Sequence, residues 1–309
     1  MYKRMLVPLD GSELAEVVFT YAKELAGRLD IDVILLHVSS PAAHGFVPMH
    51  RAYIMQAADI VRCQAQEVRE RAGIQPEGKQ VEVRGELVVG RPADETLRYS
   101  EENDVDLILM ATRGRSGVTR WAMGSVADKI VRASKAPVWL VRAGVPDETS
   151  YDKWPKITIL APLDGSELAE SALPYVEALA KQLDTKPVDV VLLRVCEPPV
   201  MPSYYGPELA EVSLDWGNSL QRGMVKVRQV ASDYLAGIEE RLKDSNISVR
   251  SEVLEGKATD VITDYANNNP FSVIAMATHG RAGLSRWVYG SVTEYVVLGI
   301  SNPVLLIRS

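Results

Sequence analysis

Two stretches of this 309-residue sequence place glycines and basic side chains directly after an apolar run. The first covers residues 110–126 and the second covers residues 276–292. Each has the pattern of a buried strand, a basic loop containing glycine, and then Gly-Ser-Val at the start of a helix. Glycine lets backbone N–H groups approach phosphate oxygens, and a helix N-terminus adds unpaired N–H groups and a positive dipole end. The two stretches therefore predict a phosphate-binding cradle in each half of the chain.

The spacing inside this cradle is the same in both copies. Nine residues separate Gly114 from Gly124, and nine separate Gly280 from Gly290. A serine follows the second glycine each time, and basic side chains surround the first: Ser125, Arg113, Arg115 and Arg120 in one copy, and Ser291, His279, Arg281 and Arg286 in the other. The alternative interpretation is that the glycines only make a turn from strand to helix.

The whole chain has the pattern of a duplication. Residues 6–16 return with few changes as residues 160–170, and later apolar segments recur in the same order. Self-similarity of this kind predicts two copies of one fold. The stretch between the copies is rich in Pro, Asp and Ser, so we predict domains at 1–145 and 155–309 with a linker at about 146–154.

Hydrophobic periodicity predicts that strands and helices alternate within each half. In the first half we expect strands at 3–9, 32–38, 80–87, 105–111 and 137–142, and helices after Ser12 and at 54–73, 92–103 and 125–133. This order predicts the α/β class, with a doubly wound, Rossmann-like parallel sheet in each half. Ligands of such folds bind beyond the carboxyl ends of the strands, where the strand order reverses. The loops after residues 9, 38 and 111 are expected to meet there.

Composition argues against several classes of protein. The net charge of −7 leaves no excess of Lys and Arg for bulk nucleic-acid binding. No apolar run approaches the roughly 18 residues of a membrane span, and no signal-peptide run follows the N-terminus. Cys63 and Cys196 lack the spacing of a thiolate metal site or a disulfide framework. We therefore expect a cytoplasmic protein without membrane or nucleic-acid partners.

These motifs resemble those of the universal stress protein family, in its tandem form with two domains in one polypeptide. Nucleotide-binding members carry G-x2-G-x9-G-[S/T] after the fourth strand, an Asp ending the first strand and a Val ending the second. The resemblance extends over nearly the whole chain and implies an adenine nucleotide α-hydrolase-like fold. The sequence departs from the motif at its first glycine, where Ala111 and Ala277 stand. If that position needs positive φ or touches phosphate, binding weakens; if it is ordinary strand backbone, little changes.

The resemblance implies ATP or AMP in each half, with Mg²⁺ as a candidate metal. Backbone groups of Val38 and Val195 would meet adenine, while Asp10 and Asp164 would face the ribose or Mg²⁺. The other implied nucleotide contacts are Pro8, Ala111, Arg113, Gly114, Gly124, Ser125 and Val126 in the first half, and Pro162, Ala277, His279, Gly280, Gly290, Ser291 and Val292 in the second. Asp10 could equally serve the turn between strand and helix, and the two roles are compatible.

The last apolar runs, 137–142 and 303–308, would be exposed sheet edges in isolated domains. The resemblance implies that they pair antiparallel, which gives a pseudo-twofold pair inside one chain that could dimerise again. The predicted function is a stress-response regulator that binds adenine nucleotide and acts on an unidentified protein partner. Hydrolysis would be slow at most, because no general base can be named. Two alternatives stay open: an interaction scaffold with weak or empty pockets, and an ATP-using enzyme of a related fold.

Overall fold

The computed structural model shows the alternation of strands and helices that the sequence predicts. The described residues are 2–74, 81–113, 123–142, 151–183, 188–199, 210–243, 247–278 and 291–308. The strands of the first half are β1 (Arg4–Leu9), β2 (Asp32–Ser39), β3 (Val83–Val89), β4 (Leu107–Ala111) and β5 (Val138–Val141). Its helices are α1 (Glu13–Glu16), α2 (Phe19–Leu29), α3 (Val47–Arg71), α4 (Pro92–Glu102) and α5 (Ser125–Ala133).

The second half repeats this order element by element. Its strands are β6 (Ile157–Pro162), β7 (Val188–Cys196), β8 (Ser248–Glu255), β9 (Ser272–Thr278) and β10 (Val304–Arg308). Its helices are α6 (Glu167–Glu170), α7 (Leu173–Gln182), α8 (Ala210–Lys243), α9 (Ala258–Asn268) and α10 (Ser291–Gly299). The structure therefore confirms that the two halves are copies of one α/β fold.

The described strands form one sheet in the order β3-β2-β1-β4-β5-β10-β9-β6-β7-β8. Neighbouring strands within each half are parallel. The strand order reverses between β1 and β4 and again between β6 and β9, which is the doubly wound arrangement. The half-sheets join where β5 pairs antiparallel with β10, with Trp139 opposite Leu305. This pairing, called the seam below, confirms the expected pseudo-twofold pair.

Both faces of the sheet are buried, because side chains of a strand alternate between the faces. Met5 of β1 packs in the core that contains α2 and α3, whereas Leu6 packs in the core on the side of α4 and α5. Each core continues across the seam: Trp139 shares the first core with the second half, and Leu140 shares the second. The two halves are thus joined by apolar packing as well as by strand pairing.

An aromatic cluster buries the end of the predicted linker at the seam. Tyr151–Lys153 forms one turn of 3-10 helix, and Tyr151 and Trp154 are 1% and 2% exposed. The Tyr151 ring stacks on Tyr21 with centroids 4.8 Å apart and meets Trp139 edge-on at 6.1 Å. The chain therefore enters the second half through the core, while the predicted domain limits stay a prediction.

Two helices differ from the sequence expectation. α3 begins at Val47, seven residues before the predicted start, after a 3-10 segment at Pro41–Phe46. Pro48 lies in its first turn, a position that proline favours. The single helix expected after Ser12 is split into α1 and α2, and α6 and α7 show the same split. None of the described helices has both the length and the apolar composition needed to cross a lipid bilayer.

The aromatic cluster predicts how substitutions at Tyr151 change stability. Tyr151→Ala removes a buried ring and should lower the free energy of unfolding by about 3–5 kcal/mol. Tyr151→Phe keeps the ring and should cost less than about 1.5 kcal/mol. Tyr295→Ala, which truncates an exposed ring, is the control and should change little. Denaturant unfolding of the three variants measures this, and equal losses at Tyr151→Ala and Tyr295→Ala would show that the cluster does not stabilise the seam.

Candidate functional site

A cleft opens at the carboxyl edge of the first half, where the strand order reverses. The ends of β1, β2 and β4 and the first turn of α5 bound it, and its volume is about 220 Å³. The structure brings together most of the residues that the sequence predicts for this half: Pro8, Asp10, Val38, Ala111, Arg113, Gly124, Ser125 and Val126. Gly114 lies outside the described residues.

The second half has a matching cleft of about 200 Å³. Its predicted lining residues are Pro162, Asp164, Val195, Ala277, Ser291 and Val292. The predictions for His279, Gly280 and Gly290 fall outside the described residues. Because the seam is antiparallel, the carboxyl edges of the half-sheets point in opposite directions, so the two clefts lie at opposite edges of the sheet.

One wall of the first cleft is the first turn of α5. This wall suits an anion. Gly124 is the N-cap residue and offers no capping side chain, and the amides of Ser125 and Val126 have no preceding helical carbonyl. The amide of Gly124 donates to the Thr112 carbonyl oxygen at 2.9 Å. A Cβ at Gly124 would lie only 3.3 Å from that oxygen, while its φ of −65° suits any residue. The close approach to Thr112 therefore favours glycine at this position, and the next amides are the available donors.

The alanines that replace the first motif glycine lie in regular strand backbone. Ala111 pairs with Val141 in the parallel ladder of β4 and β5, and Ala277 pairs with Ile307 in that of β9 and β10. Neither alanine is among the described non-glycine residues with positive φ. This position does not need the conformational freedom of glycine, so alanine leaves the shape of the strand end unchanged.

The aspartates at the ends of β1 and β6 organise the turns that follow them. Ser12 donates to Asp10 Oδ1 from its backbone N–H at 3.0 Å and from its hydroxyl at 2.6 Å. Ser166 donates to Asp164 Oδ1 in the same way, at 2.9 and 2.5 Å. Ser12 is also the N-cap of α1, because its Oγ accepts from the Ala15 amide. Asp10 serves this turn and also lines the cleft.

The clefts differ at one position next to these aspartates. In the first half, Nδ1 of the buried His37 lies 3.0 Å from the Leu9 carbonyl oxygen. In the second half, Arg194 Nη1 donates to the equivalent oxygen of Leu163 at 3.2 Å. The contact with the backbone is kept, but the second half gains a permanent positive charge.

That charge acts on Asp164. Burial by itself raises the pKa of this carboxyl, but the hydrogen bonds from Ser166 and the charge of Arg194 outweigh burial and hold the pKa below its usual range. The carboxyl group of Asp164 is therefore ionised at neutral pH and is a weak base.

Two histidines meet beside the first cleft. The His50 and His37 ring centroids are 4.5 Å apart, and His50 Nδ1 lies 3.2 Å from Ser39 Oγ. The early start of α3 brings His50 back over the end of β2. Over the described part of the chain, no group of three His, Cys, Asp or Glu side chains is arranged to hold a metal ion.

Sequence reasoning missed several lining residues of the first cleft. They include Leu36, Pro92, Thr96, Met110 and Thr112. Pro92 begins the helix after β3, so the rule that ligands bind beyond strand ends could have indicated it. Leu36 and Met110 are apolar strand residues, and nothing in their pattern separates them from the rest of the core.

The fold and the paired clefts define a tandem, doubly wound α/β protein with one cleft in each half. The universal stress protein family matches residues 1–142 and 158–308. The chain therefore belongs to the universal stress protein family, as the motifs predicted.

Relatives show both single and tandem arrangements. Universal stress protein YxiE of Bacillus subtilis is 31% identical over 150 residues, which cover 46% of this chain and 100% of YxiE. A universal stress protein of Mycobacterium tuberculosis is 23% identical over 313 residues, which cover 98% of this chain and 96% of that protein. The crystal structure of a universal stress protein from Archaeoglobus fulgidus has a TM-score of 0.61 at 21% identity, covering 99% of this chain and 98% of that one. The matches to the Mycobacterium tuberculosis and Archaeoglobus fulgidus proteins extend over both halves of this chain.

The effect of the Arg194 charge on Asp164 predicts a change in acid titration. Asp164 has a lowered pKa in the folded protein, so its stabilising contribution is present above its unfolded pKa of about 3.9 and is lost as the pH falls through the folded value. Arg194→Gln should raise the pKa of Asp164 and move this loss to higher pH. Carboxyl NMR titration measures the pKa. Arg228→Gln removes an arginine paired with Glu255 instead and should leave Asp164 unchanged; an unchanged pKa in Arg194→Gln would refute the assignment.

Proposed function

We propose that this universal stress protein binds adenine nucleotide, ATP or AMP, in both clefts and acts as a nucleotide-dependent regulator of the stress response. The observation that carries the proposal is the uncapped first turn of α5 at the reversal of strand order, with Gly124 packed against Thr112. Free amides and the positive end of a helix dipole at such a position suit phosphate oxygens. A cytoplasmic location, a protein partner and further dimerisation belong to the same proposal.

The lining of the first cleft supports a defined orientation of the nucleotide. The phosphates would lie against the amides of Ser125 and Val126, and Ser125 adds a hydroxyl donor. The end of β2 at Val38 would offer backbone groups to adenine beside the apolar side chains of Leu36 and Met110. Asp10 lies between these regions along the edge, where it would face the ribose.

The second cleft supports the same orientation. Ser291 and Val292 begin α10 as Ser125 and Val126 begin α5, and Val195 is the penultimate residue of β7 as Val38 is of β2. We therefore assign one nucleotide to each half.

The scaffold alternative depended on the alanines at the first motif position. Regular strand backbone at Ala111 and Ala277 shows no need for positive φ at this position, which removes one of the two reasons for expecting empty clefts. Nucleotide binding is therefore the better supported function.

The two aspartates determine what we expect for Mg²⁺ binding and for ATP hydrolysis. Asp10 and Asp164 are the carboxylates that would meet a metal ion held by the phosphates. Arg194 already places positive charge beside Asp164, so we expect the second cleft to depend less on Mg²⁺. The low pKa of Asp164 also makes it a poor general base. We therefore expect slow hydrolysis at most, and regulation by occupancy rather than by turnover.

Charge reversal at the phosphate wall tests the proposal. Ser125→Glu and Ser291→Glu each place a carboxylate where phosphate would bind, while negative charge at a helix N-terminus favours the fold. Calorimetric titration with ATP should give two sites in the wild type, one site in each single variant and none in the double variant.

Ser232→Glu is the matched control, because Ser232 is exposed on α8 and lines neither cleft. It should leave both sites intact. Wild-type affinity in the double variant would place the nucleotide elsewhere, and the absence of heat and of a thermal shift in the wild type at millimolar ATP would refute nucleotide binding.

A further inference from the structure

Each half ends its sheet with an arginine that reaches the last helix of the other half. Arg142 directly follows β5, and its Nη1 donates to the carbonyl oxygens of Ile300 at 2.7 Å and Leu298 at 3.4 Å, at the end of α10. Arg308 ends β10, and its Nη1 donates to the carbonyl oxygen of Ala133, the last residue of α5, at 3.0 Å. The contacts are reciprocal across the seam.

These contacts cap helix C-termini. The last carbonyl groups of a helix have no partner inside it, and a cation near them also interacts favourably with the helix dipole. A helix of nine residues is marginal in isolation, so its ends depend on such contacts. Arg142 and Arg308 are half-buried, which limits screening by solvent. Each arginine therefore holds the end of a short helix that belongs to the other half.

The opposite end of each helix lies in a cleft. α5 starts at Ser125 in the first cleft, and α10 starts at Ser291 in the second. A nine-residue helix is only about 14 Å long and moves largely as one body. A displacement at its capped C-terminus therefore reaches the amides at its N-terminus.

Each arginine is also attached to the cleft of its own half. The Thr112 amide in the first cleft donates to the carbonyl oxygen of Val141, the residue before Arg142, at 2.8 Å. In the second half, Arg308 pairs with Thr278, which follows the cleft residue Ala277. Each arginine thus connects the strand ends of one cleft to the helix that forms the other cleft.

We propose that Arg142 and Arg308 are positioning residues that couple the two clefts across the seam. Arg142 sets the N-terminus of α10 in the second cleft, and Arg308 sets that of α5 in the first. Occupancy of one cleft by nucleotide phosphate then changes the affinity of the other, and linkage makes the effect mutual. This inference rests on the proposed nucleotide binding.

The test measures each cleft separately with ATP as the probe. The Ser125→Glu background leaves the second cleft to be measured, and the Ser291→Glu background leaves the first. Arg142→Gln should weaken ATP binding about fivefold in the second cleft, at the lower end of typical couplings, and leave the first unchanged. Arg308→Gln should do the reverse. Arg142→Lys keeps the charge and a donor, so it should recover most of the affinity.

Each arginine variant is expected to weaken ATP binding only in the cleft of the other half. This result distinguishes a positioning role from a general effect on stability. Equal weakening of both clefts, or a fall in melting temperature without any change in affinity, would overturn the coupling. Amide hydrogen exchange without nucleotide gives a second readout: Arg142→Gln should speed exchange in α10 but not in α5. Absence of that difference would also overturn it. A wild type that binds no ATP would instead refute the proposed function, which distinguishes the two failures.

Discussion

The antiparallel pairing of β5 with β10 is the contact on which the rest of the structure depends. It turns two five-stranded parallel sheets into one sheet and removes the edge strand that each half would otherwise expose. Its direction places the two clefts at opposite edges. On one face, the pairing brings Trp139 against the aromatic cluster of Tyr151. On the other face, it brings the arginines at the ends of β5 and β10 to the helices of the opposite half. The seam is therefore a core shared by the two halves and a place where the strands of one cleft meet the helix of the other cleft.

The same backbone features recur at both clefts, which explains how the two copies can differ in sequence and keep a similar geometry. The strand ends, the first turn of a helix and the turns organised by Asp10 and Asp164 are present in both halves. Side chains vary around this frame, as His37 and Arg194 show by making the same contact with a backbone carbonyl oxygen. Such a frame lets the two clefts differ in charge while they keep one shape.

Much of this could be predicted from the sequence, because repeated segments and apolar strands fix the fold class and strand ends fix the edge where a ligand binds. Pro8, Asp10 and Val38 were implied by the resemblance to the family, and the structure finds them along the first cleft. Contacts made by chain segments that vary between the copies could not be predicted, such as the early start of α3 that brings His50 to His37. The role of Arg142 could not be predicted either. It depends on the register of the strand pairing at the seam, and an internal repeat does not indicate that register. At the first motif glycine the sequence posed a question about backbone conformation that only the paired strand around Ala111 could answer.

Native mass spectrometry of the purified chain titrated with ATP tests the central claim, two nucleotide sites in one polypeptide, most directly. It counts ligands on each molecule and does not depend on any substitution. We predict species with one and then two bound ATP molecules, saturating at two for each chain. Saturation at one would contradict the equivalence of the two clefts, and no bound nucleotide at millimolar ATP would contradict the claim altogether.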